Sequence, residues 1–300
     1  MGGQGCVNTV THTEMTQVKG VRVPASFEPV ADHPTELHER GYQFVVRVAR
    51  RLLRASKIDV TVYGAEHIPV TGGALIAANH TGYYDFILVG VGPHLRGNRL
   101  VRFMAKKSVF DVPVLGHLLR AMGHVPVNRA AGASAIDAAV AGLEQGRIVG
   151  IFPEATISRS FELAQFKTGA VRIAHAAGVP LVPCVIWGSQ RIWTKDLPKQ
   201  LRNVPVIIRY GTPIALTGDA ERDTAALKHE MQSLLDASRH QYTALTHPPA
   251  GSPWMPAALG GTAPTPAQAE ELYRQEREAR AAKREANKQR RKWFRTRRRE

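Results

Sequence analysis

From Ile58 to Tyr242 the chain alternates short β-branched or apolar runs with segments of helical periodicity, and this alternation constrains the fold more than any single residue does. Residues 59–63, 74–78, 100–104, 148–152, 181–187 and 204–210 read as strands. Residues 84–90, 114–122, 133–145, 168–177 and 220–242 read as helices. Strands that alternate with helices have to cross over, so the expectation is an α/β layered fold. Its central sheet, mostly parallel or mixed, is flanked by helices in one domain spanning 58–246. A hydrophobic content of 44% is enough to give that domain one substantial core.

The flanks read differently. Residues 1–33 are polar and show no sustained period, as in a disordered leader. Over 34–57 an amphipathic helix is predicted, with Phe44, Val45, Val48, Leu52 and Leu53 on one side and Arg47, Arg50, Arg51 and Arg54 interspersed. Such a helix has two destinations, the protein core or a membrane interface. Pro248, Pro249, Pro253, Pro256, Pro264 and Pro266 forbid regular structure and mark 247–267 as a linker. The tail, 268–300, is rich in Ala, Glu, Arg and Lys without an apolar stripe, so it is a solvated helix or a disordered arm.

Charge and cysteine usage limit the function classes. Of the formal net charge of +15, residues 270–300 supply +7 through thirteen Lys/Arg against six Asp/Glu. That excess suits an anionic partner: a phosphorylated substrate, a lipid headgroup or nucleic acid. Cys6 and Cys184 form no CxxC, and the histidines lack HExxH spacing, so no metal is expected. The first thirty residues lack a secretory pattern, and no window approaches the ~18 apolar residues of a spanning helix. The expected location is cytoplasmic, peripheral at the inner face of the cell membrane. Neither GxxxxGK[ST] nor a complete GxGxxG is present, and Gly188-Ser189 does not complete a GxSxG elbow.

The run Asn79-His80-Thr81-Gly82-Tyr83-Tyr84-Asp85 follows the apolar segment 73–78. Its spacing seats an imidazole at a strand exit while a carboxylate in the next helical turn folds back onto it. That suits a general base and its orienter, and equally a loop histidine beside a helix-capping carboxylate. Three further blocks follow in order: Gly123-His124-Val125-Pro126-Val127-Asn128-Arg129, Phe152-Pro153-Glu154-Ala155-Thr156, and Val179-Pro180-Leu181-Val182-Pro183.

Together these blocks resemble the glycerophospholipid acyltransferase family typified by 1-acyl-glycerol-3-phosphate acyltransferases, over roughly 64–211. The resemblance implies transfer of an acyl group from acyl-CoA or acyl-carrier protein, as co-substrate and with no cofactor, to a lysophospholipid hydroxyl. His80 and Asp85 are then the catalytic residues. Arg129 is the first choice for the acceptor's phosphate, with Lys106, Glu154, Thr156 and Arg159 as further substrate-binding candidates. A thioester is already activated, so no acyl-enzyme is required.

Two positions depart from the family pattern. Ile157 stands where an arginine is expected, leaving Arg159 as the next basic residue, and Ala155 replaces a glycine with easy access to positive φ. These departures leave the acceptor open among 1-acylglycerol-3-phosphate, glycerol-3-phosphate and a phosphoinositide-type lipid. The alternative class is a non-catalytic binder of nucleic acid or another anionic polymer, gripping through the tail around Trp293 and Phe294. The intact NHxxxxD block disfavours it. The tail reads instead as a tether to an anionic membrane surface.

Overall fold

The computed structural model describes residues 14–127 and 132–297. In chain order the elements are β1 (Met15–Val18), β2 (Val21–Pro24), α1 (Arg40–Ala55), β3 (Asp59–Tyr63), β4 (Ala74–Ala78), α2 (Asp85–Val89), α3 (Val91–Leu95), β5 (Val101–Lys106), α4 (Lys107–Phe110), α5 (Leu115–Ala121), β6 (Val125–Val127), α6 (Gly132–Glu144), β7 (Ile148–Ile151), α7 (Gly169–Ala177), β8 (Leu181–Trp187), α8 (Ser189–Ile192), β9 (Pro205–Tyr210), α9 (Ala220–Thr246) and α10 (Pro266–Arg297). The strands form one mixed sheet in the order β1-β2-β3-β9-β8-β4-β7-β5-β6. Five adjacent strands, β8, β4, β7, β5 and β6, run parallel. Beyond them β9 reverses direction against β8, and β3 and β2 continue parallel to β9.

The central strands have no polar face because both sides of the sheet are covered. β4, Ala-Leu-Ile-Ala-Ala, is buried throughout, as is β8, the pattern of parallel strands between two helical layers. Ile76 and Ala78 pack with Leu88, Val89 and Leu95 on one face. Leu75 and Ala77 pack with Leu143, Val171, Leu227 and Met231 on the other. Each large aliphatic side chain buried in this way contributes about 1.5–3 kcal/mol.

The flanks depart from the sequence expectation. Residues 14–33, expected to be a disordered leader, include the hairpin β1–β2, which extends the sheet edge through Arg22 opposite Thr61. Lys19 and Gly20 turn it with φ of 49° and 84°, the doubly positive pair that a two-residue hairpin turn demands. The strands are four residues each, too short to show a period in the sequence. The proline-rich segment is not a free linker either. Met255 and Ala263 are buried against the face that carries α9, and Trp254 meets the Tyr242 ring edge-on at 5.8 Å. Prolines remove backbone hydrogen bonds without preventing apolar side chains from docking, so this stretch is a strap across the domain.

α1 shows its two faces plainly. Leu53 is buried, whereas Phe44 and Leu52 are 59% and 62% exposed, with Val48 between them and Arg47 and Arg51 alongside.

Candidate active site

The parallel strands place their carboxyl ends along one edge of the sheet, where ligand crevices form in open α/β folds. Asn79 leaves β4 with a buried side chain that bonds both ways to β8: its Nδ2 donates to Ile186 O (3.0 Å), and its Oδ1 accepts from Ile186 N–H (2.8 Å). These bonds fix where the next residue, His80, emerges. Its side chain is 21% exposed, enough to meet a substrate, while that of Asp85 is 0% exposed.

His80 Nδ1 lies 3.0 Å from Asp85 Oδ2. The same oxygen accepts the Thr81 and Gly82 N–H groups at 2.7 and 2.8 Å, and Oδ1 accepts Ser189 Oγ–H at 2.5 Å. Four donors on one carboxylate fix its direction. An ionised carboxylate only accepts, so Nδ1 carries the imidazole proton and Nε2 presents the free lone pair. Gly82 is required sterically: a Cβ there would sit 2.9 Å from Ser189 O and 3.0 Å from Trp193 O.

Phe152, at the end of β7, stacks on the His80 ring at a centroid distance of 4.2 Å and an interplanar angle of 17°. It closes one side of the imidazole with an apolar surface. Two residues on, Glu154 turns inward. Its Oε1 accepts the His80 N–H (3.0 Å) and its Oε2 the Ala164 N–H (3.1 Å). Burial pushes the Glu154 carboxyl up to about 7, against the opposing pull of those two N–H donors. Ser158 N–H donates to His80 O at 2.7 Å, so both peptide groups of the histidine are gripped by the loop after β7.

The substrate-binding candidates fare unequally. Glu154 braces the histidine backbone; both its oxygens are spent inside the protein, which removes it from direct acceptor contact. Arg159 is likewise engaged elsewhere. Its Nε pairs with Asp196 (2.5 Å) and its Nη1 with Glu276 (3.0 Å), so two carboxylates of the protein occupy its guanidinium. Ile157, at the position of the family's arginine, is buried. Ala155 adopts φ 55°, a left-handed conformation that costs a non-glycine residue about 1–2 kcal/mol. Thr156 is half-buried beside it. Lys106 closes β5 opposite Val127, the last residue of β6, at the same sheet edge as His80. Arg129 lies outside the described residues.

Sequence reasoning missed Ser189. In the sequence it belongs only to an incomplete nucleophile elbow, and its proximity to Asp85 comes from β8 lying beside β4, which no local pattern shows. Among the described residues no cluster of His, Cys, Asp and Glu has the geometry to hold a metal ion, and no helix is long and apolar enough to cross a membrane.

This is an acyltransferase architecture, and the chain belongs to that family: the acyltransferase family model matches residues 59–187, and the site defines an O-acyltransferase. The chain is 36% identical over 150 residues to the 1-acyl-sn-glycerol-3-phosphate acyltransferase of Bacillus subtilis, covering 49% of this chain and 71% of that one. It is 31% identical over 175 residues to the chloroplastic 1-acyl-sn-glycerol-3-phosphate acyltransferase BAT2 of Brassica napus, covering 55% of this chain and 49% of the relative. The crystal structure of the 1-acyl-sn-glycerophosphate acyltransferase PlsC from Thermotoga maritima superposes with a TM-score of 0.52 at 24% identity, over 64% of this chain and 78% of that one. That likeness extends the agreement to the fold. The chain spans about half the length of the plant relative, so comparison with that relative concerns the catalytic domain.

Proposed function

We propose that the protein moves a fatty acyl group from an acyl thioester, acyl-CoA or acyl-carrier protein, to the free hydroxyl of 1-acylglycerol-3-phosphate. The observation that carries this reading is the 3.0 Å bond from His80 Nδ1 to a buried Asp85. It leaves Nε2 as a base at the open end of β4. The acceptor hydroxyl loses its proton to Nε2 as its oxygen attacks the thioester carbonyl carbon. The tetrahedral adduct then collapses and breaks the C–S bond, and the imidazolium returns its proton to the departing thiolate. Asp85 stabilises the imidazolium in between without accepting its proton. The acceptor's phosphate is assigned to Lys106, which closes β5 beside β7, and to Arg129 of the Gly123–Arg129 block.

The acceptor is met at an anionic membrane surface through the outward stripe of α1, where Phe44, Val48 and Leu52 alternate with Arg47 and Arg51. An apolar row flanked by arginines suits the boundary between headgroups and acyl chains.

The test uses purified protein, a labelled acyl thioester and a panel of lysophospholipids, scored for diacyl product. Transfer to 1-acylglycerol-3-phosphate is expected, and His80→Ala should reduce turnover by about 10²–10⁴-fold with the fold retained. Near wild-type turnover in that variant would remove His80 from the mechanism. Transfer only to glycerol-3-phosphate or to an inositol-headed acceptor would reassign the substrate and leave the chemistry standing.

A further inference from the structure

The start of α10 is built onto the two loops that hold the catalytic histidine. Tyr273 donates its hydroxyl hydrogen to Ile157 O (2.9 Å) and accepts the Arg159 N–H (2.7 Å). The one residue between these two contacts is Ser158, whose N–H donates to His80 O. Three consecutive residues therefore connect His80 on their inner side to Tyr273 on their outer side.

One turn further along α10, Glu276 pairs with Arg159 and with Lys195, both at 3.0 Å. Lys195 belongs to the second loop. There the Thr194 Oγ donates to Thr81 O (2.6 Å), and Trp193 O accepts the Tyr83 N–H (2.9 Å). Asp196 closes the circuit by pairing with Arg159. The guanidinium of Arg159 and the ammonium of Lys195 lie 5.3 and 5.6 Å from the centre of the Tyr273 ring, a further attraction of cation for ring face. The helix is also held at its root, where Ala269 is buried after a strap anchored by Met255 and Ala263.

Neither loop contains regular structure, and each is tied to the His80–Tyr83 segment by one or two backbone contacts. A loop of this kind keeps a single geometry only when its outer side is also held. We propose that Tyr273 and Glu276 are positioning residues for acyl transfer, and that the first turns of α10 are a brace that fixes His80 through the 157–159 and 193–196 loops. The inference rests on His80 being the base of the reaction. It gives Arg159 a role as well: its two ion pairs and its backbone N–H join the brace to the loop.

The experiment compares Tyr273→Phe and Glu276→Gln with Arg274→Ala in the full chain. Arg274 is exposed on the same helix and pairs only along it, with Glu271 and Glu278. Turnover and both Michaelis constants are measured on detergent-dispersed acceptor. Backbone amide exchange is measured at Ser158 and Arg159. Tyr273→Phe keeps the ring and removes only the hydroxyl, so the fold is retained. It should lower kcat about tenfold with both Michaelis constants unchanged, and speed exchange at the Ser158 amide by a similar factor. Glu276→Gln should do the same to a smaller extent, and Arg274→Ala neither. An active wild type whose kcat and Ser158 exchange are both untouched by Tyr273→Phe would overturn the brace. A wild type without acyl transfer would refute the proposed function, while the exchange measurement would still decide whether α10 holds the loop.

Discussion

At the residue scale the carboxylates of Asp85 and Glu154, both bonded to His80, occupy contrasting environments. Asp85 collects four donors, one of them the imidazole. Glu154 is fully enclosed with two backbone donors, and burial raises its carboxyl to about 7. The folded protein thus keeps the Glu154 proton up to about pH 7, whereas the unfolded chain releases it near 4.5. Between those values the folded state binds more protons, so stability falls as pH rises through the window. The penalty is absent below it and complete above it, and amounts to about 3 kcal/mol at ~1.4 kcal/mol per unit. Glu154→Gln should remove that slope: between pH 5 and pH 8 its melting temperature should fall less than that of wild type. Parallel curves for the two proteins would mean that Glu154 is ionised throughout. The His80–Asp85 pair was legible in the sequence because both members lie within one strand exit and the next turn. Ser189 and Tyr273 were not, because each arrives from a segment more than a hundred residues away and carries no pattern of its own. The partners of Arg159, Asp196 and Glu276, were hidden for the same reason, being distant in the chain.

Among the elements, those with a buried, uninterrupted apolar run were read to the residue. β4 and β8 coincide with the expected segments 74–78 and 181–187, because strands enclosed by helices must be apolar along their whole length; β3 coincides with 59–63 through its β-branched Val60, Thr61 and Val62. The helices α3, α4 and α8, four or five residues each, escaped notice, as did the strands β1, β2 and β6, which are three or four residues long and sit toward the sheet edges. There neighbouring strands supply the order that local sequence does not. For α1 the sequence left two destinations open, and the structure separates them by face: Leu53 goes inward, while Phe44 and Leu52 remain outside. If that outward row enters the membrane interface, Phe44→Asp combined with Leu52→Asp should weaken sedimentation with anionic vesicles at least tenfold, since each aspartate removes apolar area and adds repulsion. The melting temperature should stay within a few degrees, because neither side chain is part of the core. Unchanged vesicle binding would assign the stripe to ordinary solvent exposure.

On the scale of the whole molecule, the C-terminal region divides into two parts that the sequence presented as one. Composition left 268–300 either a solvated helix or a disordered arm, and α10 is helical over Pro266–Arg297. Its first turns, however, are part of the catalytic domain through Tyr273 and Glu276. The charge lies further on: residues 283–300 hold ten Lys/Arg against two Asp/Glu, a net +8. Each such residue near an anionic surface contributes about 1 kcal/mol at most, and salt screens it over about a Debye length. Two truncations separate brace from tether. Ending the chain after Ala282 removes the charge and keeps the brace, so salt-sensitive binding to anionic vesicles should fall while turnover on detergent-dispersed acceptor stays at the wild-type level. Ending it after Pro266 removes both, so turnover on the dispersed acceptor should drop as well, by at least the factor lost in Tyr273→Phe. Equal vesicle binding after the shorter deletion would move the membrane contact entirely to α1. Full detergent turnover after the longer one would make α10 a passenger on the domain, and the histidine would then owe its position to the β4–β8 contacts of Asn79 and the inner bonds of Asp85 and Glu154 alone.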